Sequence, residues 1–161
     1  MSWNKFQNDL IHGQVGEEII GRFLLRNGHT HVNYYSLKSY DIRAINRAHN
    51  KVYYEVKTDM YEVYKGRTGN IFLEWRCSNK PSGLQTTSAD WFVYYLPIDS
   101  EAWFAKPDTL RGLIKAGAFS PYYGAGDGER VFSYLLNRYE FRQHFFIHKI
   151  PTDLNNILMK K

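Results

Sequence analysis

The chain carries a single cysteine, Cys77, in 161 residues, so no internal disulfide can hold it together. It has no run approaching the ~18 apolar residues that a bilayer span requires. Its opening segment, MSWNKFQNDLIHG, contains no apolar signal core. These absences exclude membrane insertion on the sequence reading and point to a reducing, cytoplasmic setting, a bacterial host in the case of a phage-encoded chain. Prolines number five, and there is neither an internal repeat nor a polar low-complexity tract, which removes solenoids and wholesale disorder from consideration. Acids are in the minority: 21 Lys and Arg against 16 Asp and Glu leave a formal charge of +5. A modest excess of this kind suits an acidic partner such as nucleic acid without identifying one.

Aromatic residues are abundant, at 17% of the chain. Many fall in strand-like runs, Val52-Tyr53-Tyr54 and Trp91-Phe92-Val93-Tyr94-Tyr95, where β-propensity and core filling account for them better than base stacking does. The length is that of one domain over 1–161. Its core is expected at about 13–96, with an extension at about 97–161 whose own apolar content is too small for a separate fold.

Helical spacing of Ile20, Phe23, Leu24 and Leu25, stopped by Gly28, predicts a helix from Gly13. Short strands are predicted at His31 to Tyr35, Tyr40 to Ile45 and Lys51 to Lys57. A fourth runs from Asn70 to Trp75, after a charged glycine loop. Thr86 to Ala89 suits a short capped helix, and Trp91 to Leu96 is the most apolar strand. Further on, Ala102 to Ala105 reads as a strand and Asp108 as the cap of a helix through Leu110 and Ile114. Ser120 to Glu129 reads as a mobile loop. Val131 to Ile150 mixes both periods and resists assignment.

The informative stretch is Tyr40-Asp41-Ile42-Arg43-Ala44-Ile45 followed by Val52-Tyr53-Tyr54-Glu55-Val56-Lys57. Strand alternation sets Asp41 and Arg43 on one face and Glu55 and Lys57 on one face of the next strand, opposite Tyr54 and Val56. With Asn46 to Asn50 as the hairpin loop, Ile45 pairs with Lys51, and counting back sets Asp41 opposite Glu55. Two facing carboxylates repel by roughly 0.2–1 kcal/mol, so something compensates. Arg43, Lys57 and solvent are one answer. A hard divalent cation is the other: Mg²⁺ favours carboxylate oxygens and commonly takes one or two of them beside a substrate phosphate. Lys57 then adds a positive charge for an attacking hydroxide or a reacting phosphate.

With Asp41 and Glu55-Val56-Lys57 in this order, the chain resembles the PD-(D/E)XK nuclease superfamily, of phage, resolvase or homing type. Tyr40 stands where the family often has proline. Gly13-Gln14-Val15-Gly16-Glu17 resembles the family's acid-bearing first helix, and Glu17 is favoured over Glu18 because it shares a face with Ile20 and Leu24. The segment from Lys80 to Trp91 is similar to one in phage-type members. The resemblance implies a restriction-endonuclease-like α/β fold, a mixed central sheet flanked by helices. It also implies Mg²⁺, with Mn²⁺ as a substitute, held by Asp41, Glu55 and the Val56 carbonyl, with Glu17 completing the site and Lys57 orienting or deprotonating the water. Its expected activity is hydrolysis of phosphodiester bonds in duplex or branched DNA by a homodimer or higher homo-oligomer, as a junction resolvase or a site-specific endonuclease. A catalytically silent nucleic-acid-binding module and an RNA-processing nuclease are the competing readings.

Weaker signals surround this core. Lys65, Arg67, Arg76 and Lys80 could neutralise phosphates, and Ser82, Gln85 and Thr86 could contact the strand backbone, although turn formation and capping explain Ser82 and Thr86 equally well. Glu74 reads as an edge residue, His144 and His148 as a surface or packed pair, and Cys77 as a buried thiol. The glycines of 124–128 lack the flanking strand and helix of a nucleotide cradle.

Overall fold

A computed structural model describes residues 3–36, 39–124 and 130–160, with side chains described from residue 10 onward. Helix α1 spans Trp3–Arg26, longer at its start than its apolar spacing predicts, and leads into β1 (Thr30–Tyr34), β2 (Ile42–Ile45) and β3 (Lys51–Thr58). Then come α2 (Met60–Lys65), β4 (Asn70–Cys77), β5 (Lys80–Pro81), a 3₁₀ turn at Gly83–Gln85, β6 (Trp91–Leu96) and β7 (Glu101–Ala105). The chain closes with α3 (Pro107–Lys115), β8 (Ser120–Tyr123), β9 (Val131–Asn137), a second 3₁₀ turn at Arg142–His144, β10 (Phe146–Lys149) and α4 (Thr152–Met159). Among the described residues no helix is long and apolar enough to cross a membrane.

The strands form two sheets. Six make a mixed sheet in the order β1-β2-β3-β6-β7-β10, and four make an antiparallel sheet in the order β5-β4-β9-β8. Only β3 and β6 run parallel within the first sheet. β6 is buried along nearly its whole length, as a central strand covered on both faces must be, and this explains its unbroken apolar run.

One core lies between this sheet and the helices α1 and α4, from Ile19, Ile20 and Phe23 on α1 to Tyr54, Val56, Val93 and Leu154. The other lies on the opposite face, where Phe92, Tyr94, Leu96 and Trp103 meet Ile71, Leu73 and Leu136 of the second sheet and Leu110 of α3. Residues 97–161 thus supply β7, β10 and α4 to the main sheet and its core. Arg26 at the end of α1 donates to Asp153 of α4 at 3.0 Å, and Asn155 donates to the Pro97 carbonyl at 3.1 Å.

Several local expectations are corrected. The helical turn falls at Gly83–Gln85, before Thr86 to Ala89, because Thr87 Oγ1 is engaged with Ser39 and the Ala89 amide instead of capping a helix. Ser120–Tyr123 is a strand, paired with β9; residues 125–129 of the same segment, with most of the glycine-rich run, lie outside the described residues. Neither α2 nor α4, both short, is assigned from the sequence, although Gly66 closes α2 and Pro151 precedes α4. β5 pairs with β4 only at Arg76 and Cys77, so Glu74 has a strand neighbour, β9, on one side alone; it is half-buried rather than solvated, and its carboxylate accepts from Ser82. Cys77 is half-buried. His144 lies in a 3₁₀ turn and His148 in β10, against the rings of Phe23 and Phe104.

α1 ends where Gly28, at φ +85°, takes a left-handed conformation that closes the helix by donating to Leu25 O at 3.1 Å, followed by His29 donating to Leu24 O at 3.0 Å. Gly16 has a different role. A Cβ there would collide with the Thr58 side chain at the end of β3, so only glycine lets α1 cross that strand closely enough to bring the following residue, Glu17, to the sheet's polar end.

Candidate active site at the end of the central strands

The site is built on the point where β2 stops and β3 continues. The hairpin register is Ile45 to Lys51, Ala44 to Val52, Arg43 to Tyr53 and Ile42 to Tyr54; the paired ladder ends there, one step short of the expected pairing of Asp41 with Glu55. Asp41 lies just outside β2. Its amide still donates to Tyr54 O at 2.9 Å, and its carboxylate then replaces the missing strand: the Val56 amide donates to Asp41 Oδ2 at 2.8 Å. Within a strand, a residue's N–H and C=O point to the same side. The Val56 carbonyl therefore faces this vacated side too, next to the Asp41 carboxylate.

Glu55 is 8% exposed, and its neighbour on the same strand face is Lys57. Burial pushes the Glu55 carboxyl up to about 7, with the Asp41 charge adding to the rise and Lys57 and Thr87 opposing it. Glu17 behaves alike. It is raised to about 7 by burial first, then by Asp41, with Lys57 opposing. Asp41 is also raised by burial, against the Val56 amide and Lys57. The mutual influence of these groups brings Glu17, Asp41, Glu55 and Lys57 into one electrostatic neighbourhood. Glu18, by contrast, turns outward and pairs with Arg22 at 2.6 Å.

Thr87 was not anticipated, and it holds the site together. Its hydroxyl donates to Ser39 O at 2.8 Å and lies 3.4 Å from Glu55 Oε2. The Ser88 amide also donates to Ser39 O, at 3.0 Å, and the Asp90 amide to Tyr53 O at 2.9 Å. Arg111 of α3 fastens this loop from outside, donating to Leu84 O at 3.0 Å and to Thr87 O. The segment after the 3₁₀ turn thus ties the Asp41 loop to the Glu55 strand. Beside it opens a polar concavity of about 420 Å³ lined by residues that include Asp90, Lys106 and Arg111. A threonine in a loop carries no sequence pattern that would mark it for this work; only the fold brings it to Glu55.

The weaker candidates are spread out. Lys65 lies exposed at the end of α2 and Arg67 on the loop after it, Arg67 paired with Asp99 at 2.9 Å. Lys80 is exposed in β5 and Arg76 in β4, both on the second sheet. Ser82 is engaged by Glu74, and the exposed Thr86 donates to Gly83 O at 3.3 Å. Gln85 Oε1 is buried without a hydrogen-bond partner among the described residues.

Among the described residues no three His, Cys, Asp or Glu side chains converge as a ready metal cage. The donor set nonetheless fits a hard cation that keeps most of its waters. Mg²⁺ is commonly bound by one or two carboxylates beside a phosphate and its own waters, and Asp41 and Glu55, whose ionised forms are disfavoured chiefly by burial, are of that type. No protein-family model matches the chain, nor does any curated protein or solved structure, so the geometry alone carries the functional reading.

Proposed function

We propose that this chain is a Mg²⁺-dependent deoxyribonuclease of the PD-(D/E)XK type, with a restriction-endonuclease-like core made of α1, the β1-β2-β3 meander and the parallel strand β6. The observation that carries the reading is the Asp41 carboxylate on the Val56 amide, next to Glu55 and Lys57, at the one place where β2 ends and β3 runs on. A structural carboxylate would be paired or solvated; here the acids stand together, desolvated and repelling.

Asp41, Glu55 and the Val56 carbonyl would hold the metal, with Glu17 reaching it directly or through water. When bound, Mg²⁺ lowers the pKa of a coordinated water and offsets charge on the phosphate. Lys57 would orient that water, taking its proton if the amine is neutral; as the ammonium it would instead donate to the water and stabilise the negative charge that grows on the phosphate oxygens, the water's proton passing to solvent. Water attacks phosphorus, the bond to the departing oxygen breaks, and the departing oxygen takes up a proton. The Thr87 loop keeps Asp41 and Glu55 at fixed separation throughout. The polar concavity beyond Thr87 offers room for the strand that flanks the scissile bond.

The test is a parallel digestion of linear duplex, four-way junction, single-stranded DNA and RNA with Mg²⁺ and with EDTA. Products are expected from DNA, only with Mg²⁺, and are lost in Lys57→Ala. Junction-only products select a resolvase, and discrete fragments of long duplex select a site-specific enzyme. Salt-sensitive binding without products selects the silent module, and RNA-only products select the RNA-processing enzyme. Normal Mg²⁺-dependent cleavage by Lys57→Ala overturns the assignment.

A further inference from the structure

Tyr61 and Tyr64 stand three residues apart on α2, on one face of it, and are 63% and 62% exposed. Rings this open add little to the core. Tyr139, 64% exposed, follows β9, and its ring lies where a Cβ on Gly69 would meet it. It therefore borders the loop that carries Arg67 and follows Lys65, the last residue of α2. α2 begins three residues beyond Lys57. Tyr64 Oη lies 3.3 Å from His12 Nδ1 on α1, five residues and so about 7.5 Å along the helix from Glu17. The aromatic surface thus adjoins the acid site from two directions.

It also rests on a fixed base. Glu62, between the two tyrosines, points inward and is 1% exposed. Its Oε1 accepts from the Thr68 amide at 2.7 Å, the Thr68 hydroxyl at 3.0 Å and the Gly69 amide at 3.1 Å. Arg138, the residue before Tyr139, donates to Glu62 Oε2 at 3.1 Å and to Asp99 Oδ2 at 2.9 Å. Buried ion pairs do more to fix relative placement than to add stability, and this one joins the three segments that present the tyrosines and cations.

We propose that Tyr61, Tyr64 and Tyr139, with Lys65 and Arg67 beside them, form a stacking platform for unpaired nucleotides that leads into the acid site. Stacking needs an exposed base face, which an intact duplex does not offer and a branch or frayed end does. The neighbouring cations suit the phosphates of the same strand. The inference rests on the nucleic-acid reading of the site and narrows its substrate to DNA with a single-stranded segment.

Fluorescence anisotropy in EDTA, with a labelled oligo-dT and a blunt duplex, separates the two ideas because it needs no cleavage. Tyr61→Ala with Tyr64→Ala should weaken oligo-dT binding about tenfold or more while changing duplex binding less than twofold. Tyr61→Phe with Tyr64→Phe should bind as wild type, since the ring and not the hydroxyl stacks. Lys65→Ala with Arg67→Ala should lower the salt dependence of binding, and the Tyr→Ala pair should not. Equal losses on both DNAs, no loss on either, no oligo-dT binding by the wild-type chain, or a change confined to self-association on a sizing column would each overturn the platform. Ring-dependent binding in a chain that cleaves nothing would leave the platform standing and remove the hydrolytic reading instead.

Discussion

Two clusters of desolvated charge occupy this molecule and are built in opposite ways. Around Arg138, each partner is satisfied: Glu62 accepts three donors from the Thr68-Gly69 backbone and hydroxyl and two oxygens' worth of charge is met by the guanidinium, so these bonds hold its carboxyl below the ordinary range despite burial. Around Asp41, three acids share one lysine and are all pushed up. The first arrangement spends its polar groups on geometry. The second keeps charge in reserve for something that binds, which is the usual mark of a reactive centre.

The contrast is sharpest under substitution. Asp41→Asn, Glu55→Gln or Lys57→Ala should lower Mg²⁺-dependent cleavage by about 10²–10³-fold or more; the two acid variants should keep or improve the melting temperature because each relieves repulsion, whereas Lys57→Ala removes the cation that offsets the acids and should not improve it. Arg138→Met should do the reverse: unfolding free energy in urea falls by roughly 3–5 kcal/mol because the buried Glu62 loses its counter-charge and Asp99 loses one of its guanidinium partners. A destabilised Asp41→Asn together with a stable Arg138→Met would invert the assignment of the two clusters.

pH separates them without mutation. In metal-free protein, Glu17 and Glu55 titrate at about 7 when folded and near 4.5 when unfolded. Between those values the folded state holds protons that the unfolded chain has released, so stability should fall as pH rises through the window. Glu62 has the opposite sign: its contribution is present above the unfolded value and is lost as pH falls through its lowered one. Melting curves of metal-free protein from pH 5 to pH 8 should therefore decline, and Glu17→Gln with Glu55→Gln should flatten the decline.

Smaller effects test the frame around the acids. Thr87→Val keeps the volume but loses the bond to Ser39 O; about tenfold slower cleavage and about 1 kcal/mol of stability are expected, with Thr87→Ser close to wild type. Least of all, Glu18→Gln breaks only an exposed pair with Arg22, worth about 0.3–0.5 kcal/mol, and should leave cleavage within twofold, whereas Glu17→Gln should not.

Much of the centre was legible from local pattern. The hairpin register follows from loop length and alternation, so the pairing of Ile45 with Lys51 and of Ile42 with Tyr54 could be counted. The helical face that separates Glu17 from Glu18 follows from 3.6-residue spacing. Less could be read where contacts are non-local. The sheet that receives β4 depends on its pairing with β9, some sixty residues later, and nothing within β4 distinguishes that partner from β3. Helix α4 is short and earns its place by packing on α1. Ser82 looked available for phosphate until Glu74 took it.

The residue types that would carry the proposed chemistry, their order and the spacing that sets them on one face were determined by the sequence itself, because periodicity and turn length act over a few residues. That β2 begins only after Asp41, at Ile42, that Gly16 lets α1 reach β3, that Thr87 closes the loop and that Arg138 anchors the tyrosine surface were decided by the tertiary structure. Each of these depends on which distant backbone or side chain is at hand to accept a hydrogen bond or leave room, and no local pattern encodes that.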